Sequence, residues 1–175
     1  AGAYSLNVVE AIASADSEVY SSTHIRELLI AGKPGHAAAM LGRPFEIEGR
    51  VQHGDERGRQ LGFPTANIEL DGYLNPAFGV YAIRAGLETD TGSFEWFDGV
   101  ANFGNRPTVD GARILLESHL FDFDGDLYGK NLRIALIEFL RPEIKFDGLD
   151  MLKAQIGMDS ASARSMLQVR AAGAP

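Results

Sequence analysis

Residues 45–67 read FEIEGRVQHGDERGRQLGFPTAN. The first seven alternate, with Phe45, Ile47, Gly49 and Val51 on one side and Glu46, Glu48 and Arg50 on the other. A period of two marks a strand with one face buried. The stretch holds four glycines, Gly49, Gly54, Gly58 and Gly62, set among His53, Arg57 and Arg59. Glycine accepts positive φ and lets the backbone come close to a ligand. The N–H groups freed in this way, together with arginines, make a cradle for phosphate oxygens. If the chain runs extended after Pro64, Thr65 and Asn67 point to one side. A hydroxyl beside an amide carbonyl is a pair of hard oxygen ligands, suited to Mg²⁺ that keeps some waters and binds nucleotide phosphates. The stretch therefore implies a metal–nucleotide site. It carries no Walker lysine followed by Ser or Thr, so it is not a standard P-loop. A plain charged loop ending in a Pro-Thr-x-Asn turn is the other reading of the same residues.

Outward from this stretch the strand pattern continues. Gly79–Ala85, Phe94–Phe103, Arg113–Leu120 and Asn131–Leu140 read as strands, with Gly, Pro, Asn and Asp between them. Strands without intervening helices imply an antiparallel sheet or barrel rather than a doubly wound fold. Both ends read differently. Leu6, Val8 and Val9 suggest a short strand. Ser21, Ser22 and Thr23 can cap a helix whose apolar face is Ile25, Leu28 and Leu29, with Gly32 as its stop. Pro34 suits the first turn of a second helix that runs through Leu41 to Gly42. At the other end Met151, Leu152 and Ile156 are helical, and Asp159 or Ser160 can cap a last helix through Val169. Met166, Leu167 and Arg170 fall near its inner edge, and residues 171–175 read as a frayed tail.

A chain of 175 residues, 45% apolar, suits one domain, or one domain with an appendage. The net charge of -8 disfavours a partner with a nucleic-acid backbone or an anionic membrane. A local group of arginines and N–H groups can still hold a nucleotide. The absence of cysteine excludes disulfides, thiolate zinc sites and cysteine nucleophiles, and fits a reducing cytoplasm. No apolar run is long enough to span a bilayer, and the start lacks a signal peptide's basic and apolar regions. The expectation is a cytoplasmic protein. An opening at Ala1 rather than Met suggests a fragment or a processed chain.

Among residues that could move a proton, Glu117 stands out. On a strand it shares a face with Leu115 and His119. A carboxylate among apolar residues is costly to bury without a role or a partner. Exposure to solvent is its plainer reading, and His119 is the rival base. Asp122, Asp124 and Asp126 look at first like a calcium loop, but the sixth position is Leu127 and the twelfth Arg133, where an EF-hand needs Gly and Glu. This segment reads as an acidic hairpin turn.

The run Gly58–Asn67 resembles the signature of riboflavin kinases. The resemblance continues through Gly79–Ala82, Asn105–Thr108, Glu117–His119, Leu127–Gly129 and Leu140–Phe146, in order, over about residues 43–170. It is nearest to the C-terminal kinase module of the bacterial bifunctional riboflavin kinase/FAD synthetase. It implies a mainly β fold: a six-stranded antiparallel Greek-key barrel with a C-terminal helix and a short helical N-terminal appendage. It implies ATP as phosphoryl donor, riboflavin as substrate, FMN as product and Mg²⁺ as the metal, held by Thr65 and Asn67. By resemblance Glu117 is the catalytic base, and Tyr128 and Gly129 line the nucleotide pocket with Gly49, His53, Gly54, Arg57, Gly58, Arg59, Gly62 and Pro64. Asn105, Pro107 and Thr108 belong to a loop that moves over the substrates.

A flavin ring needs an apolar slot. Phe97, Phe103, Phe146, Leu149 and Met166 are candidates for its walls, though each also reads as simple core. Arg164 is a polar flavin contact by resemblance. Ser22–Arg26 resembles a Ser-Thr-x-Ile-Arg motif near the end of the adenylyltransferase module of the bifunctional enzymes. Residues 1–42 then read as a remnant of that upstream module plus a linker, and residues 43–175 as the kinase domain. FAD synthesis is expected only in the full-length enzyme. The alternative from another class is a flavin-binding barrel that performs no chemistry.

Overall fold

The computed structural model describes residues 21–54, 58, 61–70, 72, 74–89, 91–108 and 111–172. Its elements are α1 (Ser22–Ile30), α2 (Pro34–Leu41), β1 (Phe45–Arg50), β2 (Ala66–Glu69), β3 (Gly79–Glu88), β4 (Phe94–Thr108), β5 (Gly111–Leu120), β6 (Asn131–Pro142) and α3 (Leu149–Ala172). Among the described residues, six antiparallel strands form one sheet in the order β1-β6-β3-β4-β5-β2. Strands β3, β4 and β5 follow one another as hairpins, and β6 returns to lie beside β3. That spatial order is a Greek key. The sheet curls until its edges approach. Gln52 N–H donates to the Asn67 carbonyl at 2.8 Å, and Gly49 lies so close to Ile68 that a Cβ there would collide with it. The expected barrel is thus a curled half-barrel, and Gly49 serves its closure.

Two apolar layers hold the sheet. Ile47, Ile68, Tyr81, Ile83, Phe103, Leu116, Leu132, Ile134 and Leu136 fill the barrel interior. On the outside Ala163 and Leu167 of α3 cover Val80, Ala82, Val100 and Phe121. Each large side chain buried here stabilises the fold by about 1.5–3 kcal/mol. Strand β3 is covered on both faces, so its residues are buried almost without alternation. Burial pushes the Tyr81 phenol up from its ordinary value, and its hydroxyl donates to the Ala77 carbonyl. Strand β6 carries one residue more than β3 near its end: Tyr81 pairs with Phe139, but Val80 pairs with Arg141. The bulge at Leu140 turns Arg141 to the outer face.

The N-terminal helices form as their caps dictate. Ser21 Oγ accepts from His24 N–H at 3.1 Å, and Gly32 and Gly42 take φ of 70° and 71° past the two helix ends. Leu29, Pro34 and Ala37 are buried, and Ala77 N–H donates to the Leu29 carbonyl at 3.0 Å, so the pair docks on the barrel. The expected strand at Leu6–Val9 lies outside the described residues, as do Arg57 and Arg59. Among the described residues no helix is long and apolar enough to cross a membrane.

Two expectations need correction. Asp159 does not cap a last helix; α3 is a single helix of 24 residues with Asp159 inside it. The carboxylate accepts from Arg141 Nε and Nη2 at 2.9 and 2.6 Å and from Gln155 Nε2 at 2.9 Å, which removes the cost of placing it mid-helix. Asn105–Thr108 is not a loop but the end of β4, paired with Gly111–Ile114 of β5. Strand β3 starts at Gly79, opposite Phe103, so among the described residues β4 has a strand neighbour on only one side from there on. Such an edge tolerates Pro107, which brings no N–H to the ladder.

Candidate active site

One row of residues crosses the outer face of the sheet from edge to edge. Arg141, Val80, Asn102, Glu117 and Asn67 are register partners on β6, β3, β4, β5 and β2, and Gln52 bridges to Asn67. Directly opposed residues share a face of the sheet. All six line one cleft of about 780 Å³, flanked by Leu152, Ile156 and Asp159 of α3.

The end of the cleft beside β2 is built from backbone. A Cβ on Gly54 would overlap the Asn67 amide, and one on Gly58 would overlap the Phe63 carbonyl and touch Thr65 at 3.3 Å. The two glycines let the loop come down on the two oxygen-bearing side chains. Gly62 takes φ of 89° at the following turn. Asn67 is only 8% exposed. His119 Nδ1 lies 2.9 Å from the Pro64 carbonyl. A carbonyl can only accept, so Nδ1 carries the proton. That bond fixes the approach to Thr65. Beyond the loop, His53 stacks on Tyr128 at 3.9 Å, and Gly129, with φ of 72°, donates its N–H to the Val51 carbonyl at 3.0 Å. Arg50 Nε donates to the Gly129 carbonyl at 2.9 Å.

The opposite end is apolar, with Val80, Val100, Ile144, Phe146, Leu152 and Ile156. Between the ends lies a charged group. Arg106 donates to both Glu117 oxygens, from Nη2 at 2.5 Å and from Nε at 3.4 Å, and its Nη1 is 3.7 Å from Glu143 Oε1. Glu143 Oε1 also accepts from Asn102 Nδ2 at 3.0 Å. Glu117 therefore has the partner that its partial burial demands. Its functional interest comes from its position next to Asn67 on the cleft floor.

The fold brings His53, Gly54, Gly58, Thr65, Asn67, Glu117 and Phe146 into one cleft, with Tyr128 reached through His53. Gly49, Gly62, Pro64, Gly129, Asn105, Leu149 and Arg164 are not among its lining residues. The side chains of Pro107 and Thr108 lie outside what the structure describes. Arg164 lies over the Phe121 ring at 4.2 Å and makes two bonds to Asp122, at 2.8 and 2.9 Å. Hydrogen bonding from Arg164 holds the Asp122 carboxyl below its ordinary value. Phe103 is core, Phe97 packs on Phe123, Met166 is exposed, and Leu149 is 65% exposed, so Phe146 alone of the five proposed walls faces the cleft.

Arg106 and Glu143 were not singled out from sequence. A signal existed: with β4 continued past Phe103, Asn102, Gly104 and Arg106 share the cleft face.

The riboflavin kinase family ("Flavokinase: Riboflavin kinase") matches residues 41–167. A bifunctional riboflavin kinase/FMN adenylyltransferase of Haemophilus influenzae is 46% identical over 150 residues, covering 86% of this chain and 47% of the relative. The protein of the same name from Escherichia coli is 47% identical over 145 residues, covering 82% and 45%. The chain thus spans about half the length of the curated relatives it matches. Among solved structures, the riboflavin kinase from Trypanosoma brucei superposes with a TM-score of 0.55 at 27% identity, covering 71% of this chain and 78% of that one. A Streptococcus pneumoniae structure described as a macrolide-efflux protein superposes with a TM-score of 0.78 at 33% identity, covering 89% and 50%.

Proposed function

The chain belongs to the riboflavin kinase family, and from that premise we propose that it transfers the γ-phosphoryl group of ATP to the ribityl 5′-hydroxyl of riboflavin, with Glu117 as general base. The observation that carries the proposal is the pairing of Glu117 with Asn67 on the floor of a cleft whose wall is the glycine loop. Phosphoryl transfer asks a protein mainly to align an acceptor hydroxyl with the γ-phosphate, to neutralise charge and to take one proton. Backbone around Gly54 and Gly58 would hold the phosphates. The apolar end, with Phe146 and Ile144, would take the flavin ring. Glu117 would accept the hydroxyl proton as the oxygen–phosphorus bond forms and the bond to the ADP oxygen breaks. His119 keeps Pro64, and with it Thr65, in place. Its Nδ1–H is committed to that carbonyl, which leaves Nε2 as its acceptor, so the choice of Glu117 rests on its place beside Asn67 on the cleft floor.

Thr65 and Asn67 fit a magnesium ion. Both present hard oxygens, Asn67 is nearly buried, and no side chain at Gly54 or Gly58 fills the space above them. Magnesium bound there would neutralise charge on the ATP phosphates. The bifunctional names of the relatives support a further reading, in which an adenylyltransferase module precedes the kinase in the same polypeptide and residues 1–42 are its end plus a linker. The efflux description of the pneumococcal neighbour does not bear on this reading, which rests on the family match and the curated relatives.

The test is a chromatographic assay of the purified chain with riboflavin, ATP and Mg²⁺, scoring FMN and FAD. FMN without FAD is the expected result. FAD as well would show that adenylyl transfer resides in this chain. Neither product, with flavin still bound, would favour the non-catalytic barrel.

A further inference from the structure

We propose that Arg106 is a positioning residue, passed from Glu117 to Glu143 as the reaction proceeds. The inference deepens the kinase reading and rests on it.

The geometry begins at Gly104. On the cleft face of β4 the side chains in order are Asn102, Gly104 and Arg106. A Cβ at Gly104 would overlap Glu143 Oε1, so the missing side chain makes the gap through which Glu143 reaches the sheet. From there its carboxylate accepts from Asn102 at 3.0 Å and stands 3.7 Å from Arg106 Nη1. Arg106 in turn grips both oxygens of Glu117. One guanidinium thus lies between two carboxylates, one of them at the reacting position.

The chemistry gives this arrangement a direction. A carboxylate held by a guanidinium fork is fixed in plane, which readies Glu117 to accept a proton. When the hydroxyl proton moves to Glu117, the new oxygen–phosphorus bond forms and the electron pair of the broken bond leaves with ADP. Glu117 is then neutral and attracts Arg106 less. Glu143 keeps its charge throughout and is held ready by Asn102. Arg106 shifts toward Glu143, and Glu117 is free to release its proton before the next cycle. Partial exposure of both members of the pair, 42% for Arg106 and 29% for Glu117, leaves room for this exchange.

Steady-state kinetics of FMN formation in the wild type, Arg106→Ala, Arg106→Lys, Glu143→Gln and the double variant Arg106→Ala/Glu143→Gln test the inference. Arg106→Ala is expected to lower kcat about 10²–10³-fold, the scale of a lost electrostatic donor, with the riboflavin KM changed little. Lysine restores the charge but not the fork, so Arg106→Lys recovers part of the loss. Glu143→Gln lowers kcat about tenfold when Arg106 is present and adds nothing in the Arg106→Ala background. Gly104→Ala leaves Glu117 and Glu143 themselves unchanged but displaces the Glu143 carboxylate, and it should match Glu143→Gln. Thermal melts establish that each variant folds. A kcat for Arg106→Ala within twofold of wild type overturns the inference, as does an equal cost of Glu143→Gln in both backgrounds. A wild-type chain that makes no FMN removes the kinase reading itself, and this inference with it.

Discussion

Two arginine–carboxylate pairs share the cleft and are built differently. Arg141 and Asp159 join β6 to α3 through bonds of 2.9 and 2.6 Å, and the Asp159 side chain is 8% exposed. Arg106 and Glu117 join two neighbouring strands that the backbone ladder already holds together, and both remain partly open. Removing one partner of a buried pair strands a charge in a place water cannot reach, so such a pair cannot exchange partners cheaply. A half-open pair contributes little to stability and can trade its partner for a ligand or another carboxylate. The same two functional groups therefore act as a fastening in one place and as a moving part in the other. Burial and the elements joined decide which.

The sharpest way to break this contrast is Glu117→Gln. It should lower kcat by about 10²–10⁴-fold, the range for a general base, while the thermal midpoint and substrate binding are largely kept. Near-normal turnover would leave Glu117 without the role that separates the two pairs. The complementary change, Asp159→Ala, should cost about 3 kcal/mol of stability in urea unfolding, because Arg141, only 20% exposed, loses the carboxylate that holds its Nε and Nη2. A loss below about 1 kcal/mol, the scale of an exposed pair, would make the two pairs equivalent.

Asn67→Ala is a smaller change that probes the site apart from either pair. It should weaken Mg²⁺–ATP binding about tenfold, the scale of one lost polar contact, and riboflavin binding much less. Equal losses in calorimetric titrations would indicate a folding defect. The smallest effect is expected at a third pair, Arg164–Asp122, which is well exposed. Arg164 lowers the Asp122 pKa, so the contribution is present above the ordinary carboxyl value and is lost as pH falls through the lowered one. Asp122→Asn keeps the positive φ of 58° accessible and should slightly flatten the fall of the thermal midpoint below about pH 4. An unchanged slope would mean that this pair has no linkage to folding.

Legibility in the sequence followed the same division. Local rules revealed five of the six described strands, both N-terminal helices with their caps, and the glycine loop beside Thr65 and Asn67. Each depends on residues a few positions apart. Glu117 was legible because alternation put it on one face with His119. Glu143 and Arg141 could not be found in this way. Their partners Asn102 and Asp159 lie 41 and 18 residues away, and only the curl of the sheet and the docking of α3 bring them together. Asn105–Thr108 misled because Asn and Pro favour turns, a preference that pairing with β5 overrides. Asp159 misled for a similar reason: a residue type that favours caps was held mid-helix by Arg141.

The bulge at Leu140 works like an inserted letter that restores a reading frame. Side chains in a strand alternate, and the pairing of β6 with β3 shifts once between Ile83 and Ala82 and again between Tyr81 and Val80, so a chain with the first shift alone would send Arg141 into the barrel, and α3 would lose its anchor. By the same rule, adding one residue to β5 between Leu116 and Glu117 would carry the carboxylate inside and bring the buried Ser118 out. Adding two would restore the facing but shift the row by one pair. Length changes at the Thr89–Ser93 hairpin tip break no such frame. Natural or engineered variation in chain length should therefore gather at that tip and avoid the strands that carry the row.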